Sequence, residues 1–220
     1  MSTANESNPN GSIVVIGATG HLGRLVVEAL LDSGVVADQI VATGRSIDKL
    51  ADLAERGVAV RRLDFDDPTT LEGVFSAGDR VLLVSGSDIG RRPAQHGAVI
   101  NAAVAADVAQ LVYTSGPKAP TNPMKLMTDH RLTEEAIEAS GVPATILRNG
   151  WYFENYTAQL GTYLEHGAIL GCAGDARISA AARADFAAAA AAVLTGPLAD
   201  QVGRVYELGG DTTMTLTDLA

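Results

Sequence analysis

The segment IVVIGATGHLG, residues 13–23, decides the fold that this chain is predicted to adopt. Its first four residues form an apolar, β-branched run, which is typical of a buried parallel strand. Three glycines follow at the spacing G-x-x-G-x-x-G, and apolar residues then recur at helical spacing through Leu30. The segment therefore predicts a strand, a glycine bend and a helix whose N-terminus faces a bound phosphate, because glycine leaves no Cβ in the way. The alternative is a tight turn packed for steric reasons only, since the spacing differs from the common G-x-G-x-x-G.

Strand-like and helix-like segments alternate at short intervals up to about residue 150. This alternation predicts an α/β fold with a doubly wound parallel sheet of the Rossmann type. We expect residues 1–11 to form a disordered tail, residues 12–150 an NAD(P)-binding Rossmann domain, and residues 151–220 a small substrate-side lobe, partly interleaved with the main sheet. Within that lobe the alanine-rich stretch 180–194 predicts one helix. The sequence stops as a capped helix begins, so we expect a truncated lobe.

Residues that follow the predicted strands are candidates for one ligand site. Right-handed crossovers place the carboxyl ends of parallel strands at one edge of the sheet, where ligands bind. The predicted cofactor-binding residues at this edge are Gly17, Thr19, Gly20, His21, Leu22, Gly23, Arg45, Asp64, Phe65, Ser85, Gly86, Ser87, Thr114 and Ser115.

The end of the second predicted strand bears on the choice of cofactor. An acid there accepts hydrogen bonds from the ribose of NAD, whereas an arginine there binds the 2′-phosphate of NADP. This strand ends in Ala-Thr-Gly-Arg45 with no acid, so we expect NADPH rather than NADH. The alternative is that Arg45 is a solvated loop residue. Asp64 and Phe65 are expected to hold the adenine, unless they form a plain polar turn.

Composition excludes several classes of function. The 220 residues are 47% hydrophobic, which supports a sizeable core, and the net charge of −10 argues against nucleic acid as a partner of the surface. The single cysteine, Cys172, suits a reducing cytoplasm and is expected to be a small buried residue. No signal peptide or membrane-spanning run is visible, so we expect a cytoplasmic protein. The scattered histidines have no metal-ligand spacing.

Several motifs together resemble a known family. They are IGATGHLG, ATGR, SGSDIGRRPAQHGAVINAA, YTS, LRNGWYFENY, EHGAILGCAGD and ARADFAAAAA. This set resembles the NmrA-like, atypical short-chain dehydrogenases/reductases, and within them it is most similar to NAD(P)H:quinone oxidoreductases of the bacterial quinone oxidoreductase 2 type. The resemblance runs from about Ile13 to Asp211. It implies an NADPH-binding fold with a small carboxyl-terminal lobe over the nicotinamide.

The catalytic pair of mainstream short-chain dehydrogenases is missing from this sequence. No tyrosine occurs between Tyr113 and Tyr152, so the helix after the fifth strand has no Tyr-x-x-x-Lys, and His130 stands roughly at the lysine position. Hydride reduction of a ketone makes a basic alkoxide that needs a positioned acid. The phenolate-like anion of a reduced quinone is already stabilised by its ring, so the missing pair favours a quinone. It fits equally well a protein that binds NADPH without turnover.

The residues after the sixth strand supply the remaining candidates. Asn149 can donate to an acceptor carbonyl, and Trp151 or Tyr152 can stack on a flat ring. The predicted catalytic residues are Asn149, Tyr152 and His130, and the predicted substrate-binding residues are Trp151 and Tyr152. The alternative for Asn149, Trp151 and Tyr152 is that they pack between the sheet and the lobe. The alternative for His130 is a helix position that faces solvent.

Three functions follow from these residues and the resemblance. The first is an NADPH-dependent reductase that passes a hydride to a quinone or a similar flat conjugated acceptor without flavin. The second is a non-catalytic NADP(H)-sensing regulator of the NmrA-like kind. The third, weaker hypothesis is reduction of an imine, a dye or another conjugated substrate in the same site. A small-molecule substrate is the expected partner, and a homodimer stays open.

Overall fold

The computed structural model of the protein describes residues 11–220, so all but the last residue of the predicted tail 1–11 lies outside the described residues. Seven parallel strands form the main sheet, and two short strands pair in a second sheet. The strands are β1 Ile13–Ile16, β2 Ile40–Gly44, β3 Ala59–Arg62, β4 Arg80–Leu83, β5 Gln110–Ser115, β6 Ala144–Asn149, β7 Trp151–Tyr152, β8 Ala180–Ala181 and β9 Val205–Leu208.

Helices connect most of these strands. They are α1 His21–Asp32, α2 Ala51–Glu55, α3 Arg92–Ala105, α4 Lys125–Ser140, α5 Glu154–Thr157, α6 Leu160–His166, α7 Arg183–Thr195, α8 Leu198–Gln201 and α9 Leu216–Leu219. Short 3-10 helices occupy Ala37–Gln39, Ile47–Leu50 and Pro68–Leu71.

The main sheet has the order β3-β2-β1-β4-β5-β6-β9, which confirms the predicted Rossmann-type fold. The strand order reverses beside β1, because the chain moves outward through β2 and β3 and then crosses back to β4. Ile16 lies opposite both Thr43 of β2 and Leu83 of β4, so these strands end level with one another. A ligand crevice is expected at such a reversal, at the carboxyl edge of the strands.

Helices cover both faces of the sheet. Val15 points into a core that includes buried residues of α1, α2 and α7, whereas its neighbours Val14 and Ile16 point into a second core formed with α3 and α4. Alternate residues of one strand thus enter different cores, because successive side chains leave a strand on opposite faces. Burial on both faces explains why β1 is apolar throughout.

Residues after 150 contribute to the same body. β9 extends the main sheet beside β6, and α7 packs against α1 through buried residues that include Phe186 and Ala190. The prediction of one helix over residues 180–194 was wrong at its start, because Ala180 and Ala181 pair in parallel with Trp151 and Tyr152 as a short strand. Extended backbone at the next residue delays the helix to Arg183.

Candidate functional site

One cleft of about 830 Å³ lies at the carboxyl edge of the sheet, where the strand order reverses. It receives the glycine bend after β1, the ends of β2 to β6 and the first turns of α1, α3 and α4. Every residue that the sequence predicts for cofactor, catalysis or substrate lines this cleft. The topology therefore brings these residues together, although they are spread over more than a hundred positions of the chain.

The glycine bend brings the N-terminus of α1 close to the end of β1. Gly17 has a φ of +84°, a conformation that favours glycine, and its carbonyl oxygen accepts a hydrogen bond from the Gly20 N–H at 2.9 Å. A Cβ at Gly23 would overlap the Gly17 carbonyl oxygen, so the helix can approach this closely only because residue 23 is glycine. The helix begins without a capping side chain and without an acid in its first turn. Its free N–H groups and positive dipole end are thus available to a pyrophosphate.

Side chains after β2 and β3 form one end of the cleft. Arg45 is exposed and borders the cleft directly after β2. The end of that strand carries no acidic residue. The Asp64 carboxylate accepts a hydrogen bond from the Asp66 N–H at 3.1 Å, which holds this turn. Phe65 packs edge-on against His96, with ring centroids 6.0 Å apart. The end near Arg45 thus offers a cation and an aromatic ring.

Asp66 and Gln95 also line this end and were not predicted from the sequence. The Gln95 amide donates to Asp66 Oδ1 at 3.0 Å and the Arg91 guanidinium donates at 2.7 Å. The Gln95 hydrogen bond lowers the pKa of Asp66 most, and the charges of Arg91 and Arg45 lower it further.

The predicted hydroxyl groups at the ends of β4 and β5 are partly engaged with protein. The Ser85 N–H donates to Thr114 Oγ1 at 2.9 Å, which ties the two strands together. Ser115 Oγ donates to Glu134 Oε1 at 2.5 Å, and Arg148 binds both oxygens of Glu134. The hydroxyls of Thr114 and Ser115 thus border the cleft but also make hydrogen bonds within its wall, so a ligand that binds them shares them with the protein.

Within residues 11–220, four buried side-chain polar atoms have no hydrogen-bond partner, and three of them belong to cleft residues. They are Ser85 Oγ, Arg92 Nε and Asn149 Oδ1. Buried polar groups are almost always paired in folded proteins, because leaving one unpaired costs about 1–3 kcal/mol. A polar ligand in the cleft would supply the missing partners, so the residues present fit a dinucleotide and its substrate.

His130 is a buried residue of the cleft lining, so the alternative of a solvent-facing position was wrong. The residue is buried at 8% exposure, because the first turns of α4 pack against α3. Its Nδ1 is 2.9 Å from the Tyr113 hydroxyl and its Nε2 is 3.5 Å from Arg92 Nη1. Burial and, to a smaller extent, the Arg92 charge lower the pKa of His130 to about 4.

His96 occupies a similar buried position on α3. Its Nε2 accepts a hydrogen bond from the Gly86 N–H at 3.2 Å, and its Nδ1 contacts Thr133 Oγ1 at 3.0 Å. Burial lowers the pKa of His96 to about 3. His96 therefore holds the loop after β4 that borders the cleft.

The opposite end of the cleft is largely apolar and aromatic. Trp151 is 43% exposed and borders the cleft, as do Met124 and Met127, which were not predicted. Tyr152 packs edge-on against Phe186 at 5.1 Å. The surface near Trp151 is thus suited to a flat ring.

Polar groups sit beside this apolar end. Asn149 Nδ2 donates to the Tyr152 hydroxyl across a long 3.4 Å distance. The Arg183 guanidinium lies over the Tyr152 ring at 5.0 Å, and burial raises the pKa of that tyrosine. Tyr152 therefore lines the cleft and at the same time packs against Phe186 and Arg183 of the lobe.

Arg92 and Arg183 are the two arginines of the cleft that the sequence analysis did not predict. Each is the first residue of a helix that starts at this edge of the sheet, α3 for one and α7 for the other. The position itself was a usable signal, because helices that begin at the carboxyl edge direct their first turn at the crevice.

Three further expectations concern the cysteine, metal sites and membrane spans. Cys172 is exposed, so the prediction of a small buried residue was wrong. It lies in the segment between α6 and β8, which has no regular structure to cover it. Among residues 11–220 no group of three His, Cys, Asp or Glu side chains is placed to hold a metal ion. No helix described by the structure is long and apolar enough to span a membrane.

Comparison with known proteins decides the family. Residues 17–197 match the family described as NAD(P)H-binding. The chain belongs to this family. The match begins at Gly17, the first glycine of the bend, and covers the strand ends that form the cleft.

Individual members of the family and solved structures agree with this assignment. Quinone oxidoreductase 2 of Escherichia coli (strain K12) is 47% identical over 208 residues, which are 94% of this chain and 72% of that protein. An NmrA-like family domain-containing oxidoreductase of Aspergillus flavus is 30% identical over 159 residues, 69% of this chain and 52% of that protein. The expected family resemblance is therefore confirmed.

Two solved structures superpose closely on this one. The NADPH complex of the NADPH-dependent quinone oxidoreductase from Escherichia coli gives a TM-score of 0.89 at 47% identity, covering 94% of this chain and 72% of that chain. The triphenylmethane reductase of Citrobacter sp. complexed with NADP(H) also gives 0.89, at 35% identity, covering 95% and 73%.

Proposed function

We propose that this protein is an NADPH-dependent reductase that passes a hydride directly to a quinone or a similar flat conjugated acceptor, without flavin. The observation that carries the proposal is one cleft that has the glycine bend and the N-terminus of α1 at one end and the exposed ring of Trp151 at the other. Similarity to an Escherichia coli protein named quinone oxidoreductase 2, at 47% identity, supports the same activity.

The cofactor end of the cleft favours NADPH over NADH. The N-terminus of α1 and the glycine bend would hold the pyrophosphate, and Arg45 would pair with the 2′-phosphate. Phe65 would lie against the adenine. When bound, NADPH supplies the hydride.

The acceptor end of the cleft would bind the quinone. Trp151 has an exposed ring that a flat acceptor could stack on, and Met124 and Met127 at the start of α4 add apolar surface beside it. The Asn149 amide, held only by a long contact to Tyr152, would donate to a quinone oxygen. Residues 151–220, the proposed substrate-side lobe, would thus close this end of the cleft.

The state of His130 matches a quinone better than a ketone. At neutral pH its low pKa keeps the imidazole neutral, so it carries no imidazolium proton to donate. The basic alkoxide formed from a ketone needs a positioned acid, whereas the hydroquinone anion can take its proton from water.

The proposed partner is a small molecule in the cytoplasm. The net charge of −10 opposes binding of a nucleic acid backbone to the surface, and a single cysteine suits a reducing compartment.

Loss of NADPH absorbance in the presence of a series of quinones tests the proposal. We expect steady consumption of NADPH that depends on both protein and quinone concentration. A mixture without quinone measures background oxidation by oxygen. Tight NADPH binding without consumption across the series would instead support the NADP(H)-sensing regulator.

A triphenylmethane dye is the second candidate acceptor. The structure superposes on a triphenylmethane reductase with a TM-score of 0.89 at 35% identity. Bleaching of such a dye by protein and NADPH, at a catalytic efficiency above that for any quinone, would make the dye class the better substrate.

A further inference from the structure

Arg92 is a buried cation without an acidic partner in the part of the chain that the structure describes. The residue is only 7% exposed and lines the cleft. It takes part in none of the ion pairs among residues 11–220. Its Nε has no hydrogen-bond partner, and its Nη1 has only the 3.5 Å contact with His130. Since an unpaired buried charge is costly, this arrangement indicates that a ligand supplies the missing acceptor.

A buried carboxylate on the neighbouring helix is engaged elsewhere. Asp129, on α4, is 6% exposed, and its Oδ2 accepts a hydrogen bond from the Gly90 N–H at 2.7 Å. This bond holds the loop that precedes α3. Asp129 therefore helps to place Arg92 without neutralising it by direct contact.

The guanidinium of Arg92 contacts the neighbouring His130 at 3.5 Å. An arginine nitrogen always donates, so Nε2 of His130 is the acceptor in their contact. The proton of the imidazole then resides on Nδ1 and is donated to the Tyr113 hydroxyl at 2.9 Å. A neutral imidazole in this tautomer brings no charge of its own to the cleft. The fixed positive charge beside His130 is therefore that of Arg92.

We propose that Arg92 binds the acceptor oxygen that becomes negatively charged during hydride transfer, and that His130 is the residue that positions it. This inference rests on the proposed function. In the reaction the quinone gains a hydride and becomes a hydroquinone monoanion, while NADPH is oxidised to NADP⁺. The monoanion then takes one proton from solvent water. A buried guanidinium stabilises the developing anion more than it stabilises the neutral quinone, so it accelerates the reaction.

The Arg92→Gln variant tests the inference, with Arg131→Gln as its matched control. Arg131 lies on the exposed surface of α4 and pairs with Glu135 at 3.7 Å, so its substitution removes the same charge outside the cleft. We expect Arg92→Gln to lower kcat/KM for quinones by about 100-fold, the usual effect of removing one oxyanion donor. The Kd of NADPH should change less than about 2-fold. Arg131→Gln should leave both quantities near those of the wild type.

The dependence on the quinone gives a sharper readout. Methyl-substituted quinones form less stable anions than chloro-substituted ones, so their reduction should lose more from Arg92→Gln. Added guanidinium ion should partly restore activity to Arg92→Ala. Arg92→Lys should retain more activity than Arg92→Gln, because lysine keeps the positive charge. An equal loss for every quinone, with no rescue, would contradict a role in stabilising the anion.

The role of His130 is tested through its acceptor atom. His130→Gln can still accept from Arg92 and should keep kcat near the wild-type value, whereas His130→Leu cannot and should lower it. The two variants should have similar thermal midpoints if the effect is one of positioning. An activity loss that follows stability alone would remove His130 from the inference.

Binding of a stable anion separates failure of this inference from failure of the proposed function. The anion of 2-hydroxy-1,4-naphthoquinone resembles the reduced acceptor in shape and charge. Its Kd for the NADP⁺ complex should rise at least about 10-fold in Arg92→Gln and stay unchanged in Arg131→Gln. If the wild type consumes no NADPH but this difference is found, the proposed function fails and the anion site stands. If the anion binds both variants equally, or if NADPH affinity falls as far as kcat/KM, the inference is overturned.

Discussion

Two buried histidines should make folding stability depend on pH in a range where the carboxylates contribute little. Burial lowers the pKa of His96 from 6.5 to about 3 and that of His130 from 6.5 to about 4, and the Arg92 charge acts in the same direction. In the unfolded chain both groups return to the usual value, so below about pH 6.5 the unfolded chain binds more protons than the folded one. The stability is thus fully present above pH 6.5 and is lost as the pH falls toward about 4 and then 3.

The magnitude follows from these values. Between about pH 7.5 and about pH 5, each histidine should lower the free energy of unfolding by roughly 2 kcal/mol, or about 4 kcal/mol for both. Carboxylates with lowered pKa, such as Asp66, start from an ordinary value of 3.8 and act at lower pH. The total is a large share of the roughly 5–15 kcal/mol that stabilises a typical domain.

Urea unfolding followed by circular dichroism at the two pH values measures this loss. His96→Asn keeps a donor for Thr133 but cannot be protonated, so it should lose only about 2 kcal/mol over the same interval. His166→Asn is the matched control, because His166 is exposed at the end of α6. That control should lose as much stability as the wild type.

An equal loss in the wild type and in His96→Asn would refute this reasoning. It would mean that His96 becomes protonated within the folded protein without cost, and that burial does not exclude the charged imidazole. A wild-type loss below about 1 kcal/mol would refute it for both histidines.

Two further predictions concern the cofactor end of the cleft. Arg45→Asp should weaken binding of NADPH relative to NADH by about 10- to 100-fold, because a charged hydrogen bond is lost. Arg131→Asp makes the same charge change on the exposed surface of α4 and should leave the ratio of the two affinities unchanged. Fluorescence titration with both cofactors measures this ratio. Gly23→Ala should lower NADPH affinity at least about 10-fold and lower the thermal midpoint, because its Cβ would overlap the Gly17 carbonyl. Gly97→Ala, inside α3 with no atom within 4 Å of the new Cβ, should be neutral or stabilising by up to about 1 kcal/mol, and a similar result at position 23 would contradict the close approach.

The sequence of the first forty or so residues was enough to predict the strand, the glycine bend and the helix. Apolar periodicity and the position of Gly17 are local features, and they hold wherever the segment lies. Local pattern failed at Ala180 and Ala181, because alanine favours a helix by itself. Their strand arises from pairing with Trp151 and Tyr152, which lie almost thirty positions earlier in the chain.

The sequence by itself determined that residues after each strand would meet at one edge, since parallel strands with right-handed crossovers allow no other arrangement. It therefore placed Arg45, Ser85 and Asn149 around one cleft. Only the tertiary structure decided that His130 is buried and that Arg92 beside it has no acidic partner. Those properties depend on the packing of α3 against α4. The sequence around a histidine or an arginine on one helix does not indicate which side chains of the neighbouring helix will contact it.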